Sequence, residues 1–226
     1  MSCWICGQEA KTGEHLVKAS DLRYYFGQVT TQQPVYFHMG DRRWTMQSTN
    51  SKYVKSEAKI CNSCNSDKTQ PFDKDWALMS QYLQDNFAQL SSNGKIKLAN
   101  VFPGRKSEAM LNIHLYFSKL FGCRLASEDT PLSLEPFRQA INLNQQCNNL
   151  FIKFCTWEPT NKCAGITSIK AVEKDNAPIV VWWFYIIGKV AVYVSYNFNP
   201  EIKKLTRRCW HPDRLEKYVE FKQQNT

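Results

Sequence analysis

The chain has 226 residues, 43% of them hydrophobic and 13% aromatic, which allows one large domain or two small ones and excludes wholesale disorder. A formal charge of +9 leaves two readings open, plain solubility or a polyanionic partner. Nine cysteines, five of them scattered, argue against a secreted disulfide framework; no apolar leader precedes Cys3, and the longest apolar run, Ile179 to Ile187, is far short of the ~20 residues of a membrane span, so a cytoplasmic protein with no membrane contact is expected.

The chain opens on Cys3-Trp-Ile-Cys6, and the same spacing returns in Cys61-Asn-Ser-Cys64. A thiolate pair two residues apart grips one metal from a tight turn, and two such pairs close a tetrahedral Zn²⁺ site. Gly7 and Asn65 are the turn residues that follow them. Cys123, Cys147, Cys155, Cys163 and Cys209 show no paired spacing and read as buried or incidental thiols.

Between the knuckles, Thr12-Gly13 signals a turn and Glu14 to Val17 a short strand, with Ser20 as the cap of a helix through Leu22 to Phe26. Pro34 to His38 and Arg43 to Gln47 flank a Gly40-Asp41 turn and predict a hairpin. Fifty-four residues separate Cys6 from Cys61, and the excess is read as this hairpin, inserted without disturbing the zinc site. Its Arg42, Arg43, Lys52, Lys55 and Lys59 either track a phosphate backbone or form an ordinary solvated surface. After the second knuckle, Trp76, Met79, Leu83, Phe87 and Leu90 recur at helical spacing, with Asp73 as N-cap and Ser91 to Gly94 as the stop.

Residues 93–106 read as a linker between a domain over 1–92 and an accessory domain over 107–226. The second domain is expected to begin with a helix from Glu108 to Phe121 stopped by Gly122, then a helix starting near Leu134. Four strands follow, Leu150 to Thr156, Gly165 to Val172, Ile179 to Ile187 and Val190 to Tyr196, expected as an antiparallel meander; the tail from Pro212 to Gln223 reads as a helix. The fold class is α+β. Aromatics of these strands (Trp182, Trp183, Phe184, Tyr185, Tyr193) read as core, with base stacking as the alternative. His38, His114 and His211 have no partner motif and read as structural.

Zinc knuckles alone explain neither Glu14-His15 nor Asn65. The order Cys3, Cys6, Glu14-His15, Cys61, Cys64-Asn65 resembles the zinc-stapled branch of the HNH (ββα-metal) endonucleases, over about the first third of the chain. The resemblance implies an N-terminal ββα unit stapled by structural zinc and a metal-dependent endonuclease hydrolysing phosphodiester bonds in DNA, with RNA also open, of the kind carried by phage and bacterial genomes. It makes His15 the general base, Glu14 an acidic ligand of a catalytic Mg²⁺ or Mn²⁺, and Asn65 a second ligand through its amide oxygen. Arg42, Arg43 and Lys68 become candidate nucleic-acid contacts, and Asp73 a further carboxylate for the ion should it not cap its helix. The sequence departs from the family where a middle Asn orients the histidine through its backbone carbonyl; Ser56 stands there. That departure supports the rival reading, a zinc-stabilised nucleic-acid-binding or adaptor module without activity.

Overall fold

The computed structural model describes residues 1–128, 132–157, 163–175, 177–199, 206, 208–214 and 217–222. The first knuckle is a tight turn in which the Gly7 N–H donates to the Cys3 carbonyl (2.8 Å) and the Cys3 N–H to the Gln8 carbonyl (2.7 Å). Strand β1 (Thr12–His15) and helix α1 (Ala19–Phe26) come next, then the hairpin of β2 (Val35–Met39) and β3 (Arg42–Met46), and then β4 (Lys55–Ile60). β4 returns antiparallel to β1, with Thr12 opposite Ile60 and His15 opposite Lys55. The second knuckle leads into a π-helical turn over Ser63–Lys68 and then α2 (Gln70–Asp85), α3 (Phe87–Asn93), the short β5 (Lys95–Lys97) and α4 (Leu98–Val101).

Helix α5 (Lys106–Ser127) is buried on every side and packs against α2, β4, α6 (Glu135–Leu143) and β6 (Leu150–Thr156). A helix in that position needs no polar face. It runs past Gly122 because Trp4 of the first knuckle lies against that glycine: a Cβ there would sit 2.2 Å from Cη2 of the indole. Gly122 is thus a packing residue and not the expected stop.

The remaining strands are β7 (Cys163–Ile166), β8 (Lys170–Lys174), β9 (Ala177–Ile187), β10 (Val190–Asn197) and β11 (Tyr218–Lys222). They join the hairpin in a nine-stranded sheet ordered β3-β2-β7-β9-β10-β6-β11-β5, with β8 also paired to β9. The expected meander is corrected twice: the strand expected over Gly165 to Val172 is two, β7 and β8, and β6 lies beside β10, so that β7 pairs with β2 and β9. β2 and β7 run parallel, and their close approach requires Gly165, where a Cβ would meet the His38 carbonyl at 2.1 Å. The tail is a strand over Tyr218–Lys222 and not a helix, because it finds open partners in β5 and β6.

The segment 93–106, expected as a linker, holds β5 and α4, and buried residues on both sides of it form one continuous core. The inserted hairpin belongs to the large sheet through β2, so the boundary drawn between 1–92 and 107–226 does not separate two cores. Two cap assignments also change. Helix α1 has Lys18 at its N-cap position, and the Ser20 hydroxyl has no partner. Helix α2 begins before Asp73, with Pro71 in its first turn, so that Asp73 is not a cap.

Candidate functional site

The two knuckles converge. The sulfurs of Cys3, Cys6, Cys61 and Cys64 all lie within 4.8 Å of one another, and those of Cys6 and Cys61 are 3.5 Å apart. Zn–S bonds of ~2.3 Å at tetrahedral angles place sulfurs about 3.8 Å apart. Four soft thiolates in that spacing can hold a structural metal ion such as zinc. Burial pushes the Cys3 thiol up, but backbone hydrogen bonds from Cys61, Cys6 and Ile5 outweigh it and bring it down to about 7. The cluster is tied to the core by Trp4, whose indole N–H points at Cys123 Sγ (3.3 Å).

A separate pocket of about 480 Å³ is lined by Glu14 and His15 from the end of β1, by Lys18, Ala19, Ser20 and Arg23 at the start of α1, and by Asn65, Gln70, Asp73 and Lys74 from the second knuckle and α2. The three residues singled out for chemistry, Glu14, His15 and Asn65, therefore share one pocket, and Asp73 joins them. Helix α1 is anchored beneath it by Asp21, which accepts from Trp76 Nε1 (2.9 Å) and from the Tyr185 hydroxyl (2.6 Å). Tyr185 in turn accepts the Lys18 backbone N–H (3.1 Å), so the large sheet helps set where Lys18 stands. Burial pushes the Asp21 carboxyl up to about 6, against those two hydrogen bonds.

His15 is half-buried. Its ring is hydrogen-bonded to the Thr49 backbone, and its Nε2 has no partner. Burial pulls the imidazole below its ordinary value, and the Lys55 charge pulls the same way. Ser56 ties β4 to α5, through the Ser127 hydroxyl (2.8 Å) and the Cys123 carbonyl (3.3 Å).

The carboxylates are not open. Glu14 Oε2 lies 3.1 Å from Lys119 Nζ, and Asp73 Oδ2 lies 3.0 Å from the same nitrogen. The other Asp73 oxygen is 2.9 Å from Lys18 Nζ. Lys119 donates a third bond to Thr69 Oγ1 (3.2 Å). Burial pulls the Lys119 ammonium down, but the Glu14 and Asp73 charges outweigh it and hold it above its ordinary value. Asn65 turns its amide nitrogen to Thr12 Oγ1 (3.3 Å). Among the described residues the cysteine quartet is the one close group of three or more cysteine, histidine, aspartate or glutamate side chains that could hold a metal ion. The residues of the pocket do not fit a divalent ion held by Glu14, Asn65 and Asp73, because the Lys119 ammonium stands between the carboxylates.

The expected nucleic-acid contacts lie elsewhere. Arg42 and Arg43 are on the exposed edge strand β3, with the Arg43 guanidinium 4.3 Å from the Tyr36 ring centroid. Lys68 donates to Asn142 Oδ1 (2.7 Å). None of the three lines the pocket. The pocket's own cations, Lys18, Arg23 and Lys74, and the buried Lys119 behind its carboxylates were not legible as site residues. Lys119 sits in an apolar helical register where a sequence pattern gives only "core".

His114 and His211 are structural, as expected: His114 Nε2 accepts the Cys147 N–H (3.0 Å), and the two rings meet edge to face. No helix among the described residues is long and apolar enough to cross a membrane. No protein-family model matches the chain, and neither a curated protein nor a solved structure does.

Proposed function

We propose that the chain is a nucleic-acid phosphodiester hydrolase of the HNH-like type, with zinc as a structural staple and His15 as general base. The observation that carries this reading is His15 itself. Its ring is fixed by Thr49, its Nε2 is unpartnered, and its lowered pKa keeps it neutral at working pH, in a pocket lined by Lys18, Arg23 and Lys74. A β1–β4 pair followed by a helix, stapled at both ends by cysteines, is the arrangement the resemblance leads one to look for.

In this reading Nε2 takes a proton from a water molecule as its oxygen attacks phosphorus. The bond to the leaving oxygen breaks, and that oxygen is protonated from solvent. Lys18 spends one donor on Asp73 and has two left for phosphate oxygens. Arg23 and Lys74 add positive charge at the pocket wall. DNA is the first substrate to try and RNA the second.

A second reading has its own support. Lys119 between Glu14 and Asp73 suits a zinc-stabilised module that binds nucleic acid without cutting it. The experiment is cleavage of supercoiled plasmid, single-stranded DNA and RNA by zinc-loaded protein, with and without added Mg²⁺ or Mn²⁺. Divalent ions are excluded with resin-treated buffer and not with EDTA, which would strip the zinc. A positioned base contributes ~10²–10⁴-fold, so His15→Ala is expected to lower cleavage by about 10²-fold or more with zinc content unchanged. No cleavage of any of the three by a folded, zinc-loaded sample would sink the hydrolase reading in favour of the binding module.

A further inference from the structure

We infer that Lys119, buried behind the pocket wall, takes with its ammonium the place of a divalent ion between Glu14 and Asp73, and that the pocket engages a phosphate group through Lys18 without a bridging metal. The phosphate half rests on the proposed function; the exclusion of divalent ions does not.

The argument is one of coordination and charge. An ammonium group has three donors, and Lys119 gives one each to Glu14 Oε2 (3.1 Å), Asp73 Oδ2 (3.0 Å) and Thr69 Oγ1 (3.2 Å). Its side chain is fully buried, and it stands on α5 between Ser118 and Leu120, which are buried as well. To make way for an ion its ammonium would have to give up all three bonds inside the core, where no solvent meets it. Each carboxylate is already paired, Glu14 with Lys119 and Asp73 with Lys119 and Lys18, and burial pushes the Glu14 carboxyl up against the Lys119 charge, so a divalent ion would have to displace these pairs to bind. Lys18 differs from Lys119 in the respect that matters for a ligand. One-fifth of its side chain is exposed, it lines the pocket, and it has donors to spare.

The test reads binding and not turnover. Zinc-loaded protein is titrated with Mn²⁺ in resin-treated buffer and free Mn²⁺ is followed by electron paramagnetic resonance; a parallel sample is melted with and without inorganic phosphate. The wild type is expected to leave the Mn²⁺ signal unchanged. Lys119→Met, which uncovers the two carboxylates, is expected to tighten Mn²⁺ binding about tenfold or more, and adding Glu14→Gln to it to abolish that gain. Phosphate is expected to raise the melting temperature of the wild type and not of Lys18→Met. One Mn²⁺ bound per wild-type chain and lost in Glu14→Gln overturns the inference, and that arm stands even if Lys119→Met fails to fold. A phosphate effect that survives Lys18→Met overturns the phosphate half. A wild type that excludes Mn²⁺ but cuts nothing defeats the hydrolase reading and leaves the metal exclusion standing.

Discussion

Lys119 of α5 and Glu14 of β1 meet 3.1 Å apart, both buried, behind the wall of the pocket that Glu14 lines. The contact joins the first strand of the chain to its longest helix. The same face of α5 continues the junction one and two turns on: the Cys123 sulfur meets the Trp4 indole, and the Ser127 hydroxyl accepts the Ala58 N–H (2.9 Å). Positions 119, 123 and 127 are spaced for one helical stripe. The stripe reads as structural glue, and its first member also pairs with two carboxylates that line the pocket.

Removing that lysine leaves buried carboxylates short of a partner. Breaking a buried ion pair by deleting one member costs ~3–5 kcal/mol. Lys119→Met is expected to lose stability in that range by urea unfolding. The double variant Glu14→Gln/Lys119→Met is expected to recover about 1 kcal/mol or more of it, since the unpaired charge at Glu14 is gone. A double variant as unstable as the sum of the singles would show that the pair is not coupled.

Gly122 sets two effects against each other. Alanine in a helix interior is favoured over glycine by about 1 kcal/mol. A Cβ at 122 would, however, lie 2.2, 2.5 and 2.7 Å from three carbons of the Trp4 ring, which is itself buried and fixed to Cys123. Overpacking of this kind costs ~1–3 kcal/mol. Gly122→Ala is therefore expected to destabilise the protein on balance, as read from its thermal midpoint. Because the strain falls on the knuckle, zinc should also leave faster, which a colorimetric chelator would follow.

Zinc removal has its own expected outcome. The N-terminal unit owes its closure to four thiolates drawn from two distant turns. Cys61→Ser should lower zinc content to near zero by elemental analysis. It should also lose the ordered environment of Trp4, seen as a shift in tryptophan fluorescence. Acid should do the same to the wild type, since protons compete with metal for thiolate.

The pH dependence follows from His15. Its folded pKa is lowered by burial, so the imidazole stays neutral to lower pH than a free histidine. The acid limb of any cleavage it catalyses should then lie below pH ~6.5, the ordinary histidine value. The stability consequence has the opposite sense. As pH falls below ~6.5 the unfolded chain takes the proton first, so stability declines from there until pH reaches the folded value. His114, lowered further by full burial, pushes in the same direction. An NMR titration placing His15 above 6.5 would contradict this account.

The sequence by itself determined what is local or periodic. The knuckles are local, since two cysteines two residues apart with a turn residue after them already have their geometry, and the quartet assembled as spacing predicted. The hairpin around Gly40-Asp41 and the central apolar strand Ile179 to Ile187 were legible for the same reason. Tertiary structure alone decided the rest. In the tail, Tyr218–Lys222 became a strand because two sheet edges were open to it. Gly122 stayed helical because an indole from the other end of the chain filled its space. Asp73 turned from a cap to a partner of two lysines, and Lys119, buried in an apolar register, became the counter-charge of Glu14. Charge pairing in a low-dielectric interior depends on which groups meet and not on where they stand in the chain, so no spacing rule could have announced it.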